Sequence, residues 1–214
     1  MILRSELKQN AKNQLKNNWG LAIGIIIVCT LISCIPNLLV EINDESLAIA
    51  IIIPIITLVI TGPLTIGQCK FFINLANRSN PKFSDLWYGF NNILKAIGVT
   101  LLVGIIVSIG TILLIIPGII LSFMYSQVYY IMAENPEMSI IDCLKESSRI
   151  MKGHKMDLFV LELSFLGWVI LMGITFGIAG LYVLPYYSAT LTNFYLEIKD
   201  RKSTRLNSSH SAVS

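Results

Sequence analysis

The sequence predicts an all-α polytopic membrane bundle, with six transmembrane helices arranged as three hairpins and amphipathic cytoplasmic helices between them. Two observations carry that reading. The 16 Lys and Arg residues fall into four groups of four, separated by apolar stretches long enough to cross a bilayer twice. The groups are Arg4, Lys8, Lys12 and Lys16; Lys70, Arg78, Lys82 and Lys95; Lys145, Arg149, Lys152 and Lys155; and Lys199, Arg201, Lys202 and Arg205. The second observation is composition: 54% hydrophobic and 14% charged residues with a mean hydropathy of +0.70, against about 25% charged in a soluble domain.

Basic residues are retained on the cytoplasmic face, and the loops at 41–46, near 117 and at 180–185 contain no Lys or Arg. Both termini are therefore expected in the cytoplasm, in a multi-pass protein of the cytoplasmic membrane. The net charge of +3 comes from cytoplasmic loops that face membrane lipids, so nucleic acid is not implied. Residues 1–199 read as a single integral membrane domain.

The first span covers 19–40, an apolar block longer than a signal-peptide core and with no small-residue cleavage site after it. An acidic external loop, Glu41 to Ser46, follows. The second span, 47–69, contains Pro54 and Pro63, each of which removes a helical hydrogen bond and predicts a kink. From Ala96 to Ala133 no charge occurs, and one helix of that length would be about 57 Å against a hydrocarbon core of ~30 Å. A break at Pro117-Gly118 divides it into spans 96–116 and 118–133, since Pro suits the first turn of a helix. Leu163 to Leu196 is divided in the same way, giving spans 158–179 and 182–197 with a turn from Gly180 to Pro185. The fourth and sixth spans are short and could be re-entrant.

Residues 200–214 shift abruptly to Ser, Arg, Asn and His without an apolar period. The run from Asp200 to His210 resembles a translated sequencing adapter, so this tail reads as non-native and stands outside fold reasoning.

Cytoplasmic segments precede each hairpin. Leu3, Leu7, Ala11 and Leu15 recur beside Arg4, Lys8, Lys12 and Lys16, as in a helix lying in the headgroup plane. Asn80-Pro81-Lys82-Phe83-Ser84 and Asn135-Pro136-Glu137-Met138-Ser139 echo one another, which suggests a repeated unit, and place Ser84 and Ser139 as helix caps. Ser139 and Asp142 have capping-box spacing. In the Ser139 to Met151 helix, Ile140, Ile141, Leu144, Ser148 and Met151 share one face, opposite Lys145, Glu146, Arg149 and Lys152. That helix is the expected docking surface for a membrane-protein partner, and Gly153 is its natural stop.

Glu162 is the one acid inside an apolar run, which makes it the candidate intramembrane polar site; snorkelling to the interface is the plainer reading. Gly173 and Gly177 have the small-residue spacing of helix packing. Thr57, Thr61, Gln68, Ser122, Gln127, Ser164, Ser188, Thr190 and Asn193 could line a polar path or bond between helices. Tyr125, Tyr129, Tyr130, Trp168, Tyr182, Tyr186 and Tyr187 include interfacial aromatics. Cys29, Cys34, Cys69 and Cys143 lack metal-binding spacing, and His154 stands alone. No catalytic residues, metal ligands or cofactor-binding loop are expected, and the chain is read as not an enzyme.

Seven stretches carry a family resemblance: Thr61-Gly62-Pro63-Leu64, Ile116-Pro117-Gly118-Ile119, Ala133-Glu134-Asn135-Pro136, Ser147-Ser148, Met151-Lys152-Gly153-His154-Lys155, Leu163 to Trp168, and Pro185-Tyr186. Together they resemble a bacterial integral-membrane family of unknown function, DUF975, related in look to the membrane domains of some glycerophosphodiester phosphodiesterases. The resemblance covers nearly all of 1–199 and implies a six-span bundle, without an activity or catalytic residues. Two functions are expected from the whole: a non-enzymatic scaffold or accessory protein for other membrane components, or a small permease or lipid transporter with a path near Glu162.

Overall fold

The computed structural model describes the backbone of residues 3–42 and 47–211, and their side chains outside 37–51 and 205–211. Every described element is helical. In chain order these are α1 (Arg4–Leu15), α2 (Trp19–Ile42), α3 (Leu47–Ala76), a 3-10 segment (Phe83–Asn92), α4 (Ile93–Leu113), α5 (Ile115–Tyr125), α6 (Val128–Glu134), α7 (Ile140–Met151), α8 (Lys155–Leu163), α9 (Leu166–Ile174) and α10 (Gly180–Ser211). Asn43 to Ser46, most of the expected acidic loop, lie outside the described residues.

Among the described residues, five helical stretches are long and apolar enough to cross a membrane: Trp19–Pro36, Ile52–Ala76, Phe83–Leu113, Ile115–Glu134 and Lys155–Ile174. They match the first five expected spans in order. The sixth, 182–197, is helical within α10 but is not one of the five. The fourth is longer than expected, mainly because α5 starts at Ile115, before Pro117; after a turn at Ser126-Gln127, α6 carries the stretch to Glu134, one residue past the expected end.

The chain breaks sit close to the expected places, with local reasons. α4 stops at Leu114, whose backbone is extended (φ −162°, ψ 142°), and α5 starts at Ile115. Pro117 therefore falls in the first turn, where its missing N–H has no helical partner to lose. Gly118 is buried there against Thr111 of α4. The expected fifth span is not one helix: Ser164 and Phe165 interrupt it, and α9 ends at Ile174 rather than near 179. The turn before α10 therefore spans Thr175 to Ala179, and Pro185 lies buried inside α10 instead of in the connection.

α3 runs through Pro54 and Pro63 as one helix of 30 residues, and the 3-10 segment packs along it. Ten residues is long for a 3-10 helix. Its approach is set by two glycines. A Cβ on Gly67 would sit 1.9 Å from the Leu86 carbonyl oxygen, and one on Gly89 would sit 2.1 Å from that of Pro63. Both contacts are backbone, so no side chain can yield. The segment begins with the Lys82 N–H donating to Asp85 Oδ2 at 3.0 Å, and Asn74 Nδ2 donates to the same oxygen at 3.0 Å. Asp85 thus does the capping expected of Ser84.

The apolar face of α1 is covered by the bundle itself. Leu7, Ala11 and Leu15 are buried in the core, and α1 packs against α10 and α3. α7 is rotated from the expected face: Cys143, Leu144, Ser147, Ile150 and Met151 are buried, whereas Ile141 is 52% exposed. The reason is Ser147, whose hydroxyl donates to the Met124 carbonyl at 2.8 Å and turns the Cys143–Ser147 edge inward. At the start of α7 the Ser139 hydroxyl accepts from the Asp142 N–H at 3.2 Å, and Gly153 (φ +86°) follows the end of the helix, both as expected.

α3 ends differently. The Ser79 N–H donates to the Asn74 carbonyl and the Arg78 N–H to that of Leu75, a Schellman arrangement with Arg78 in the left-handed position (φ +55°). An L-residue there costs about 1 kcal/mol relative to glycine.

Candidate functional site

α10 is the axis on which the candidate sites converge, because it packs against α1, α2, α3, α7 and α9. Its buried residues include Tyr186, Thr190, Thr192, Asn193 and Tyr195, an unusually polar set for a bundle interior. Thr190, Thr192, Asn193 and Tyr195 find hydrogen-bond partners, and Tyr186 packs among aromatic rings. Asn193 and Gln14 of α1 form an amide pair at 2.9 Å, and Asn193 also donates to the Ala189 carbonyl. Gln68 of α3 donates to the Ser188 hydroxyl at 3.1 Å. Thr190 and Thr192 donate to backbone carbonyls one turn back.

Six aromatic rings gather where α10 meets α1, α2 and the α8–α9 break. Trp19 stacks on Tyr182 (centroids 4.8 Å apart), and Trp168 packs on Tyr182 and Tyr186 at 5.8 and 6.4 Å. Phe165 meets Tyr186 and Tyr187 at 5.4 and 5.2 Å. Two lysines of α1 cover the group: Lys8 Nζ is 4.3 Å from the Phe165 centroid and Lys12 Nζ 5.5 Å from that of Tyr186. Lys8 also donates to the Ser164 carbonyl at 3.1 Å, which places the interruption of the fifth stretch under α1. Burial first, then Arg4 and Lys12, push the Lys8 amine below its usual range. Trp168, Tyr182, Tyr186 and Tyr187, read as interfacial aromatics, are thereby brought into one cluster.

Glu162 lies at the edge of this cluster. It is half-buried, and the Tyr187 hydroxyl is 3.5 Å from its Oε1, the outer limit of a hydrogen bond. Among the described residues Glu162 has no cationic partner within 4.0 Å.

The strongest polar constellation is one that sequence reasoning missed. Glu134, at the end of α6, accepts from the Tyr195 hydroxyl and from Lys199 Nζ at 2.6 Å, with its side chain 15% exposed. Tyr195 stacks on Tyr130 at 5.1 Å. A carboxylate, a phenol and an ammonium thus tie α6 to α10 across 65 positions of sequence. The only signal for it in the sequence is the placement of Glu134, an acid directly after an apolar run.

The remaining expected residues do not join a common site. A Cβ added at Gly173 would meet nothing within 4 Å, and Gly177 lies in the turn after α9 with φ +87°. The pair therefore forms no close helix crossing within this chain. Thr57, Ser122 and Ser164 donate to carbonyls of their own segments rather than lining one path. Gln127 is buried with its Oε1 unpartnered, while its Nε2 donates to the Ser126 hydroxyl at 2.7 Å. His154 Nδ1 is 2.9 Å from Asp157 Oδ2 at the start of α8, a local pair that orders the end of the α7 connection. The four cysteines are free thiols, with Cys69 and Cys143 buried. Among the described residues no three His, Cys, Asp or Glu side chains are grouped as metal ligands.

The stretches that carry the family resemblance map onto packing. Gly62 meets Ala96 and Thr100, Pro63 meets Gly89, Ser147 anchors α7, Glu134 forms the ion pair, and Phe165, Trp168 and Tyr186 belong to the aromatic cluster. Comparison with curated proteins and with solved structures finds no match. The likeness to the membrane domains of glycerophosphodiester phosphodiesterases is not shown by these comparisons. Residues 1–117 and 108–202 match the family described as protein of unknown function (DUF975), and the chain belongs to that family.

Proposed function

We propose that the chain is a non-enzymatic, multi-pass protein of the bacterial cytoplasmic membrane, with both termini in the cytoplasm, that organises or assists other membrane components. The observation that carries this reading is the state of α10. Its buried amides and hydroxyls are taken up by Gln14, Gln68 and backbone carbonyls, so the middle of the bundle is built as a packed structural core. The grouping of Lys and Arg supports the orientation.

The partner-facing surface is the outward side of α7. Its inner side is occupied by the bundle, which leaves Ile141, Asp142, Lys145 and Arg149 exposed. Arg149 and Glu146 hold each other through two bonds of 2.7 and 2.6 Å, and Lys145 sits 3.8 Å from Asp142. Such exposed pairs add little stability but fix a charge pattern that a partner can read. The test is purification of the full chain from native membranes in gentle detergent. A membrane protein recovered in fixed ratio with the wild type and lost with Ile141→Asp is the expected result; equal recovery with both sinks the proposal.

A second reading, a permease or lipid transporter with a path near Glu162, is favoured by one observation: a half-buried carboxylate whose only side-chain partner in the described residues is the distant Tyr187 hydroxyl. It predicts that Glu162→Gln changes solute or lipid flux in reconstituted vesicles. Wild-type vesicles that move nothing above protein-free controls would reject it.

A further inference from the structure

A cavity of about 430 Å³ opens between the end of α1 and the loop after α3. Its polar lining is Asn13, Gln14, Asn17, Asn18, Arg78 and Asn80, with no carboxylate. It adjoins the ends of two apolar stretches: one begins at Trp19, next to Asn18, and another ends at Ala76, two residues before Arg78. In a chain that spans a membrane, such helix ends are where lipid headgroups are met.

Gln14 is held by Asn193, Asn18 donates to the Gln14 carbonyl, and Asn13 Oδ1 accepts from Gln9 at 3.3 Å. The cavity is open to solvent: Asn13, Asn17, Arg78 and Asn80 are exposed, and the Asn17, Arg78 and Asn80 side chains have no protein partner among the described residues. Arg78 and Asn80 both have left-handed backbones, φ +55° and +53°. Glycine would end α3 with less strain at 78, yet the chain places a guanidinium there, on the wall of a cavity otherwise lined by carboxamides. A guanidinium fork matches a phosphate, and a carboxamide can both donate to and accept from a hydroxyl. The volume lies in the range of small-molecule sites, roughly 300–1,000 Å³.

We propose that this cavity binds the phosphate ester of a small polyol, with the phosphate on Arg78 and the hydroxyls on Asn13, Asn17 and Asn80. Two sources share that chemistry: a phosphoglycerol lipid headgroup and a soluble polyol phosphate. The site stands independently of the partner surface on α7.

The experiment titrates the purified full chain in detergent with phosphatidylglycerol, phosphatidylcholine and glycerol 1-phosphate, for the wild type and for Arg78→Gly. Saturable binding weakened on the order of ten-fold or more in the variant is expected, since a charge-assisted bond is lost. Arg78→Gly should melt no lower than the wild type, which separates lost binding from lost folding. Phosphatidylglycerol binding alone supports the lipid source, and glycerol 1-phosphate binding supports the soluble one. Three outcomes overturn the proposal: no saturable binding of any probe, equal binding by the variant, or phosphatidylcholine binding as tightly as phosphatidylglycerol.

Discussion

α9 has no buried residue, and Leu166, Val169, Ile170 and Ile174 are all exposed; α10, the next helix in the chain, buries Tyr186, Thr190, Thr192, Asn193 and Tyr195. In a water-soluble protein these assignments would be reversed. With lipid as solvent the apolar helix needs no cover, and the polar one is placed where other helices can satisfy it. Hydropathy consequently recognises the stretch that ends in α9 and passes over α10. Hydropathy finds the helices that lipid touches, while the helix on which the bundle is assembled is marked only by the charge-free run that ends at Leu196.

The contrast can be broken by substitution, read as thermal or denaturant unfolding of the detergent-solubilised chain. Gly67→Ala should have the largest effect, a loss of about 4 kcal/mol, because the new methyl would overlap the Leu86 carbonyl and both sides of the contact are backbone. Unchanged stability would mean that the 3-10 segment is not held against α3. Glu134→Ala should cost about 2 kcal/mol, reduced from the value for a fully buried pair because Lys199 is partly exposed. A double-mutant cycle with Lys199→Ala would show whether the two share that energy. Asn193→Leu leaves the Gln14 amide without its partner and should cost about 1–2 kcal/mol.

The last two substitutions sharpen the contrast from the other side. Arg78→Gly relieves a left-handed residue and should raise stability by about 1 kcal/mol. Gly173→Ala, on the exposed helix with open space around it, should change stability by less than about 0.5 kcal/mol. If Gly173→Ala cost as much as Asn193→Leu, the division between a lipid-facing α9 and a structural α10 would fail.

What the sequence made legible follows the same division. Charge-free runs located the five apolar stretches and the 182–197 part of α10, Pro117 marked the connection between α4 and α5, and the spacing of Ser139 and Asp142 located a helix start. These signals are local, and each depends on neighbouring residues alone. The aromatic cluster, the Gln14–Asn193 pair and the Glu134–Lys199 pair join residues far apart in the chain, and no short window contains both partners. The rotation of α7 failed for a related reason: hydropathy ranks Ile141 above Ser147, but Ser147 has a carbonyl to meet and Ile141 does not. The break at Ser164-Phe165 lacks Pro and Gly, and it is occupied by Lys8 from α1, 156 positions away.

The ion pair of Glu134 bears on how the chain is made. A ribosome delivers residues in order, so all five apolar stretches precede α10 during synthesis. Until Ser188, Tyr195 and Lys199 emerge, Gln68 and Glu134 have been inserted without the groups that will satisfy them. Three of the bundle's long-range polar contacts can therefore form only once the last helix is in place.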